Sequence, residues 1–208
     1  MSRGLFISFE GVEGCGKSTQ LRLLEEYLRA QGRDCVVTRE PGGVPIAEAI
    51  RELLLNPDHE AMTPEAELLL YAAARAQHVG EKIVPALEAG KVVLCDRFAD
   101  STTAYQGGGR GFDTARLAQL HGWATGGRWP DRTLLLDLDA EAGLERARQR
   151  GRRDRIERED IAFHQRVRQA YLDLAVLEPE RIKVVSASGS IEEIHQQIRG
   201  LVDELIQP

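Results

Sequence analysis

Eight residues near the start of the chain, Gly11-Val12-Glu13-Gly14-Cys15-Gly16-Lys17-Ser18, fit the pattern G-x-x-x-x-G-K-S/T, whose chemistry is the cradling of a polyphosphate. The spacing follows from what a polyanion needs. Side chains at Gly11, Gly14 or Gly16 would block the backbone N–H groups that must face the phosphates. Lys17 adds a positive charge near the β- and γ-phosphates, and the Ser18 hydroxyl is an oxygen ligand for Mg²⁺. Thr19 continues the same turn, at the start of a helix whose N-terminus favours anions.

Two further groups belong to the same chemistry. Asp96 ends the apolar run Val92-Val93-Leu94-Cys95, so a strand would carry its carboxylate to the tip beside the phosphate loop, where it can hold the metal. Arg97 follows as a cation for phosphate. Seven arginines, Arg146, Arg148, Arg150, Arg152, Arg153, Arg155 and Arg158, fall within thirteen residues of an otherwise acidic chain. Part of that cluster reads as a solvated helix face paired with Glu145, Asp154, Glu157 and Glu159. Gly151 interrupts the helix where the arginines are densest, which favours a flap that closes over phosphate with its guanidinium forks. No base triad or Cys/His pair accompanies these residues. An acceptor that is already a phosphate dianion needs none, because the obstacle is then the meeting of two polyanions.

Strands and helices must place these groups. Leu5-Phe6-Ile7-Ser8-Phe9 reads as a buried strand and residues 17–31 as a helix, with Gly32 past its end. A second strand over 34–38 leads into Arg39-Glu40-Pro41-Gly42-Gly43. Helices follow over 44–55, from Thr63-Pro64 to about 79, and over 81–89; the third strand covers 91–95. Helix 113–124, strand 133–138, helix 141–150, helix 159–177, strand 182–185 and helix 191–206 complete the alternation. Five strands alternating with helices predict an α/β fold, a parallel sheet covered on both faces, with ligands beyond the carboxyl ends of the strands.

The composition bounds the partners. A chain of 208 residues with 42% hydrophobic content suits one domain, and a net charge of −6 speaks against stable nucleic-acid binding. Three cysteines without C-x-x-C spacing and five scattered histidines point to a reduced, cytoplasmic protein whose histidines are surface or packing residues. No apolar run is long enough for a membrane span, and Met1 to Arg3 leave no room for a signal peptide.

With these residues in view, the chain resembles the bacterial thymidylate kinases along almost its whole length. The resemblance rests on Glu10 to Thr19, Arg39 to Gly43, Tyr71 to His78, Asp96 to Gly111 and Asp154-Arg155-Ile156-Glu157, in that order. It implies a P-loop fold of the nucleoside monophosphate kinase type over residues 1–208, with an Arg-rich lid at about 148–158. It also implies transfer of the γ-phosphoryl of ATP to dTMP, giving dTDP and ADP, with Mg²⁺ and as a homodimer. Gly11 to Thr19 and Arg148 match the ATP side, Arg148 covering adenine with the loop 186–189; Ser18 and Asp96 match the metal side. Tyr71, where the family more usually has Phe, matches the ring against thymine, and Arg75 the contact to its carbonyl edge. Thr102 and Gln106 match further base contacts, Tyr105 the ring beneath deoxyribose, Arg51 and Arg97 the acceptor phosphate, and Glu40 the sugar and phosphate. The peptide before Pro41 is the place for a cis bond.

The phosphate loop has Glu13 and no arginine, so the chain resembles the subtype whose catalytic arginine lies in the lid. Lys17, Asp96, Arg97 and one of Arg152, Arg153 and Arg155 are then the catalytic candidates. Cys15 departs from the usual small residue; it either serves simply as a small residue or, at a helix N-terminus that tends to lower thiol pKa, is a reactive thiol that ATP protects. Another P-loop nucleoside monophosphate kinase is the rival reading. A non-catalytic nucleotide switch is a second rival, but N-K-x-D is lacking and the acceptor-side arginines would be superfluous.

Overall fold

The computed structural model describes residues 4–149, 151 and 154–206. A five-stranded sheet runs in the order β2-β3-β1-β4-β5, every pair parallel. The strands are β1 Leu5–Glu10, β2 Cys35–Arg39, β3 Val92–Asp96, β4 Arg132–Asp137 and β5 Ile182–Ser186. Phe9 and Arg39 both pair with Asp96 in register, so three strands end level and their loops open on one side of the sheet. The order reverses beside β1, where such sheets place their ligands.

Strand alternation builds a core on each face. Ile7 and Phe9, with Val92, Leu94, Leu134 and Leu136, pack under α1 (Lys17–Ala30) and α9 (Ile191–Ile206) through Leu24, Leu28, Ile194 and Ile198. Phe6, Val93 and Cys95 point the other way, against Phe98, Val79 and Ile83. Ser8 and Thr133 also face inward, and their hydroxyls pair at 2.9 Å, so the two buried polar groups satisfy each other.

The remaining helices are α2 Pro45–Leu55, α3 Pro64–His78, α4 Val84–Glu88, α5 Ala99–Thr102, α6 Thr114–Thr125, α7 Ala140–Arg148 and α8 Ile161–Leu177. Thr63 caps α3 by accepting from Ala66 N–H, and Asp160 caps α8 by accepting from Phe163 N–H. Two differences from the sequence reading lie in wide turns. The helix expected over 81–89 is present as α4, but it opens in a π-helical turn, Val79–Ile83, that joins α3 to α4 without a break. Pro85, with no N–H to give, sits just beyond it. A second π-helical segment, Thr103–Gly109, extends α5 where no helix was assigned. Its glycines let α8 approach: a Cβ on Gly108 would lie 2.4 Å from Ala170 Cβ, and one on Gly109 2.5 Å from the Phe163 ring.

Candidate active site

The phosphate loop connects β1 to α1. Gly11, Gly14 and Gly16 have φ of 134°, 71° and 98°, and a Cβ on Gly14 would stand 2.1 Å from Gly143 O of α7. No other residue fits there. Lys17 is buried and donates from Nζ to Gly11 O and Val12 O, each at 3.0 Å. Ser18 Oγ donates to Asp96 Oδ2 at 3.0 Å, so the hydroxyl and the carboxylate expected at a metal form one corner. These groups, with Glu13, Thr19, Arg39 and Arg146, line a cleft of about 980 Å³.

A second cleft of about 530 Å³ adjoins it. All eight acceptor-side candidates, Glu40, Arg51, Tyr71, Arg75, Arg97, Thr102, Tyr105 and Gln106, line it. They come from the loops after β2 and β3, from α2 and α3, and from the α5 and π-helical region. Glu13, Glu40, Arg51, Arg97 and Asp154 line both clefts, so a phosphate in one would face a phosphate in the other across these side chains.

Arg97 is the hinge of the two. Its φ of 70° is rare for a residue with a Cβ. Side-chain contacts on both ends of the guanidinium hold it: Nη1 donates to Gly11 O at 3.0 Å and Tyr171 Oη at 3.2 Å, and Nη2 to Glu13 Oε1 at 2.9 Å. Its guanidinium lies 5.0 Å from the Tyr105 ring centroid, and Tyr105 Oη donates to the same Glu13 oxygen at 2.6 Å. Below them Glu10, buried at the end of β1, accepts from Phe98 N–H at 2.7 Å, Ser101 Oγ at 2.6 Å and Tyr171 Oη at 2.7 Å. Burial and the nearby Asp100 push the Glu10 carboxyl up to about 7, against the opposing pull of Arg97, Ser101 and Tyr171.

Arg75 is buried on α3, donating to Glu40 Oε2 at 2.7 Å, Thr102 Oγ1 at 3.0 Å and Phe98 O at 3.1 Å. The Glu40-Pro41 peptide is cis, and Arg51 donates to Pro41 O at 2.8 Å. Gln106 donates to Glu67 Oε1 at 2.8 Å. Burial raises the Tyr71 phenol well above its ordinary pKa, so that hydroxyl stays neutral in the cleft.

Several candidates stand elsewhere than expected. Arg155 is buried, giving Nε–H to Leu54 O at 2.9 Å and pairing with Glu67 at 2.6 Å; it lines neither cleft. Arg148 ends α7, exposed and 3.6 Å from Glu145, also outside both clefts; Arg146, two residues earlier and so on the other side of the same helix, lines the phosphate-loop cleft instead. Arg152 and Arg153 lie outside the described residues. Cys15 is 2% exposed, which favours its reading as a small packing residue over that of a reactive thiol.

Sequence reasoning missed Glu67, Glu10, Tyr171 and His78. Glu67 joins Gln106, Arg110 and Arg155, and His78 is hydrogen-bonded to Glu40, so not all histidines are surface or packing residues. Glu10 and His78 sit in runs quoted for the resemblance, which was the available signal. Glu67 and Tyr171 had none.

A family model described as thymidylate kinase matches residues 9–198. The chain belongs to the thymidylate kinase family. It is 54% identical over 205 residues to the thymidylate kinase of Geotalea uraniireducens, covering 96% of each chain. It is 53% identical over 204 residues to that of Ectopseudomonas mendocina, covering 98% and 97%. The crystal structure of thymidylate kinase from Ehrlichia chaffeensis superposes with a TM-score of 0.81 at 34% identity, covering 96% of this chain and 99% of that one. The thymidylate kinase fold is thus the P-loop nucleoside monophosphate kinase architecture expected from the sequence. Among the described residues no helix is long and apolar enough to cross a membrane.

Proposed function

We infer that this member of the thymidylate kinase family transfers the γ-phosphoryl of ATP to dTMP, yielding dTDP and ADP. The observation that carries it is the shared wall. The phosphate-loop cleft and the cleft of the eight acceptor-side residues meet at Glu13, Glu40, Arg51, Arg97 and Asp154. Two bound polyanions would face each other there, and positioning plus charge stabilisation is most of what phosphoryl transfer requires.

ATP phosphates belong on the glycine loop, where backbone N–H groups and Lys17 meet them. Lys17 exchanges its two loop carbonyls for phosphate oxygens, a move of one flexible side chain. On the acceptor side, Arg51 and Arg97 hold the monophosphate and Tyr105 lies against the sugar. Tyr71 stacks on the base, with Arg75, Thr102 and Gln106 at its edge. The Ser18 and Asp96 oxygens are a hydroxyl–carboxylate pair beside the phosphate loop, a donor set that fits Mg²⁺, which takes few protein oxygens and shares itself with nucleotide phosphates. Bound there, Mg²⁺ would neutralise charge on the β- and γ-phosphates.

The acceptor phosphate is largely a dianion at pH 7, so no residue is assigned as base. The transition-state cation is assigned to the Arg-rich lid at about 148–158, because the phosphate loop carries Glu13 in place of an arginine. Arg152 and Arg153 are candidates, and Arg155 would first have to leave Glu67. A single domain acting as a cytoplasmic homodimer completes the proposal. Leu69 and Trp123, 60% and 90% exposed on α3 and α6, support a partner-facing surface there. Incubation with Mg·ATP and dTMP, followed by phosphorus NMR, tests the reaction. New diphosphate resonances matching dTDP are expected, and ATP hydrolysis without a dTDP signal would refute it.

A further inference from the structure

Behind Arg75 runs a chain of buried polar contacts that starts at Glu40, on the wall of both clefts, and continues to His78 and Thr38, which line neither. A guanidinium has five N–H donors. Arg75 commits three of them, to Glu40, Thr102 and Phe98 O, which leaves two for whatever fills the acceptor cleft. Where those two point depends on how firmly Glu40 holds the guanidinium plane.

Three residues along α3, on the same helix face, His78 is fully buried with Nδ1 2.9 Å from Glu40 Oε1 and Nε2 2.7 Å from Thr38 Oγ1. A carboxylate paired with arginine only accepts, so Nδ1 carries a proton and donates to Glu40, while Nε2 and the Thr38 hydroxyl share the second hydrogen bond. Each Glu40 oxygen therefore has its own donor from α3, Arg75 on Oε2 and His78 on Oε1. A glutamate's terminal torsion is broad, and one contact alone would leave the carboxylate free to swing. The backbone is shaped around this chain: a Cβ on Gly43, whose φ is +86°, would stand 2.5 Å from Thr38 Oγ1 and 2.7 Å from His78 Nε2.

We propose that His78 is a positioning residue for acceptor recognition: its Nδ1–H locks the plane of the Glu40 carboxylate, and Glu40 in turn aims the two free Arg75 donors at the carbonyl edge of a pyrimidine base. This rests on the reading of Arg75 as the group that meets the base. Neither His78 nor Thr38 lines the acceptor cleft; they act through Glu40.

Two substitutions of similar size separate positioning from packing. In His78→Asn the amide nitrogen falls where Nδ1 was, keeping the donor to Glu40 and losing Thr38. In His78→Gln the side chain reaches towards Thr38 and the donor to Glu40 is lost. Steady-state kinetics with dTMP and with deoxycytidine monophosphate, whose amino group replaces the carbonyl acceptor, reads the effect. His78→Gln should raise KM for dTMP about tenfold and narrow the preference for dTMP over the cytidine nucleotide; His78→Asn should stay within about threefold. KM for ATP should move little in either. Because KM does not depend on the fraction of folded enzyme, partial unfolding would lower kcat and leave this comparison intact. Thr38→Val, which leaves the Glu40 donor in place, should raise KM for dTMP less than His78→Gln does. Equal KM values for dTMP in His78→Asn and His78→Gln, or a larger rise in Thr38→Val, would overturn the role of His78. Arg75→Ala with an unchanged dTMP preference would overturn the reading of Arg75 itself.

Discussion

Glu13 of the phosphate loop and Arg97 at the tip of β3 are paired at 2.9 Å on the wall common to both clefts. Burial alone would raise the Glu13 carboxyl, yet Arg97, with His164, Lys17 and Tyr105, holds it well below the usual carboxylate range. The pair is therefore charged at working pH and fixes the cation proposed to hold the acceptor phosphate. Glu13→Gln removes the charge and keeps the shape. It should lower kcat/KM for dTMP by about tenfold to a hundredfold, the size of one hydrogen bond to a charged group, with KM for ATP less affected. Initial-rate kinetics on both substrates checks this, and an unchanged kcat/KM for dTMP would remove the pair from acceptor binding.

Lys17→Ala should act on turnover. Nζ now rests on two loop carbonyls and is needed where charge develops, so kcat should fall by about 10² to 10³, with a much smaller change in dTMP affinity. Single-turnover rates measured beside equilibrium dTMP binding separate the two effects.

Glu10 makes stability depend on pH. Its carboxyl is raised to about 7 by burial first and Asp100 next, above the value of an exposed glutamate. The folded state therefore binds this proton more tightly than the unfolded state. Its contribution is full below the unfolded pKa, near 4.5, and is lost as pH rises through about 7. The loss is on the order of 3 kcal/mol across that window. Glu10→Gln should flatten it: chemical denaturation at pH 5 and pH 8 should show the wild type losing more stability than the variant. An equal change in both would contradict the assignment to Glu10.

The sheet was legible because apolar runs such as 5–9 and 92–95 fall at regular intervals and glycine-rich loops follow them. Local rules cover such patterns. The π-helical turns at Val79–Ile83 and Thr103–Gly109 were not, since the choice between turn widths is made by packing, here of Gly108 and Gly109 against α8. The same distinction divides the site. Lys17, Ser18 and Asp96 announce themselves through spacing. Glu67 and Tyr171 act through partners distant in the chain, Arg110 and Arg155 for the one, Glu10 and Arg97 for the other. The segment 146–158 shows the limit most clearly. An arginine-rich stretch advertises phosphate, but Glu67 buried on α3 determines that Arg155 faces inward.

The most direct test of the central claim is a comparison of kcat/KM across thymidine, uridine, adenosine and guanosine monophosphates as acceptors, with ADP release as the readout at fixed Mg·ATP. The arrangement of Tyr71, Arg75, Thr102 and Gln106 around one cleft predicts a clear preference for thymidine monophosphate. A higher kcat/KM for any of the other three would contradict it.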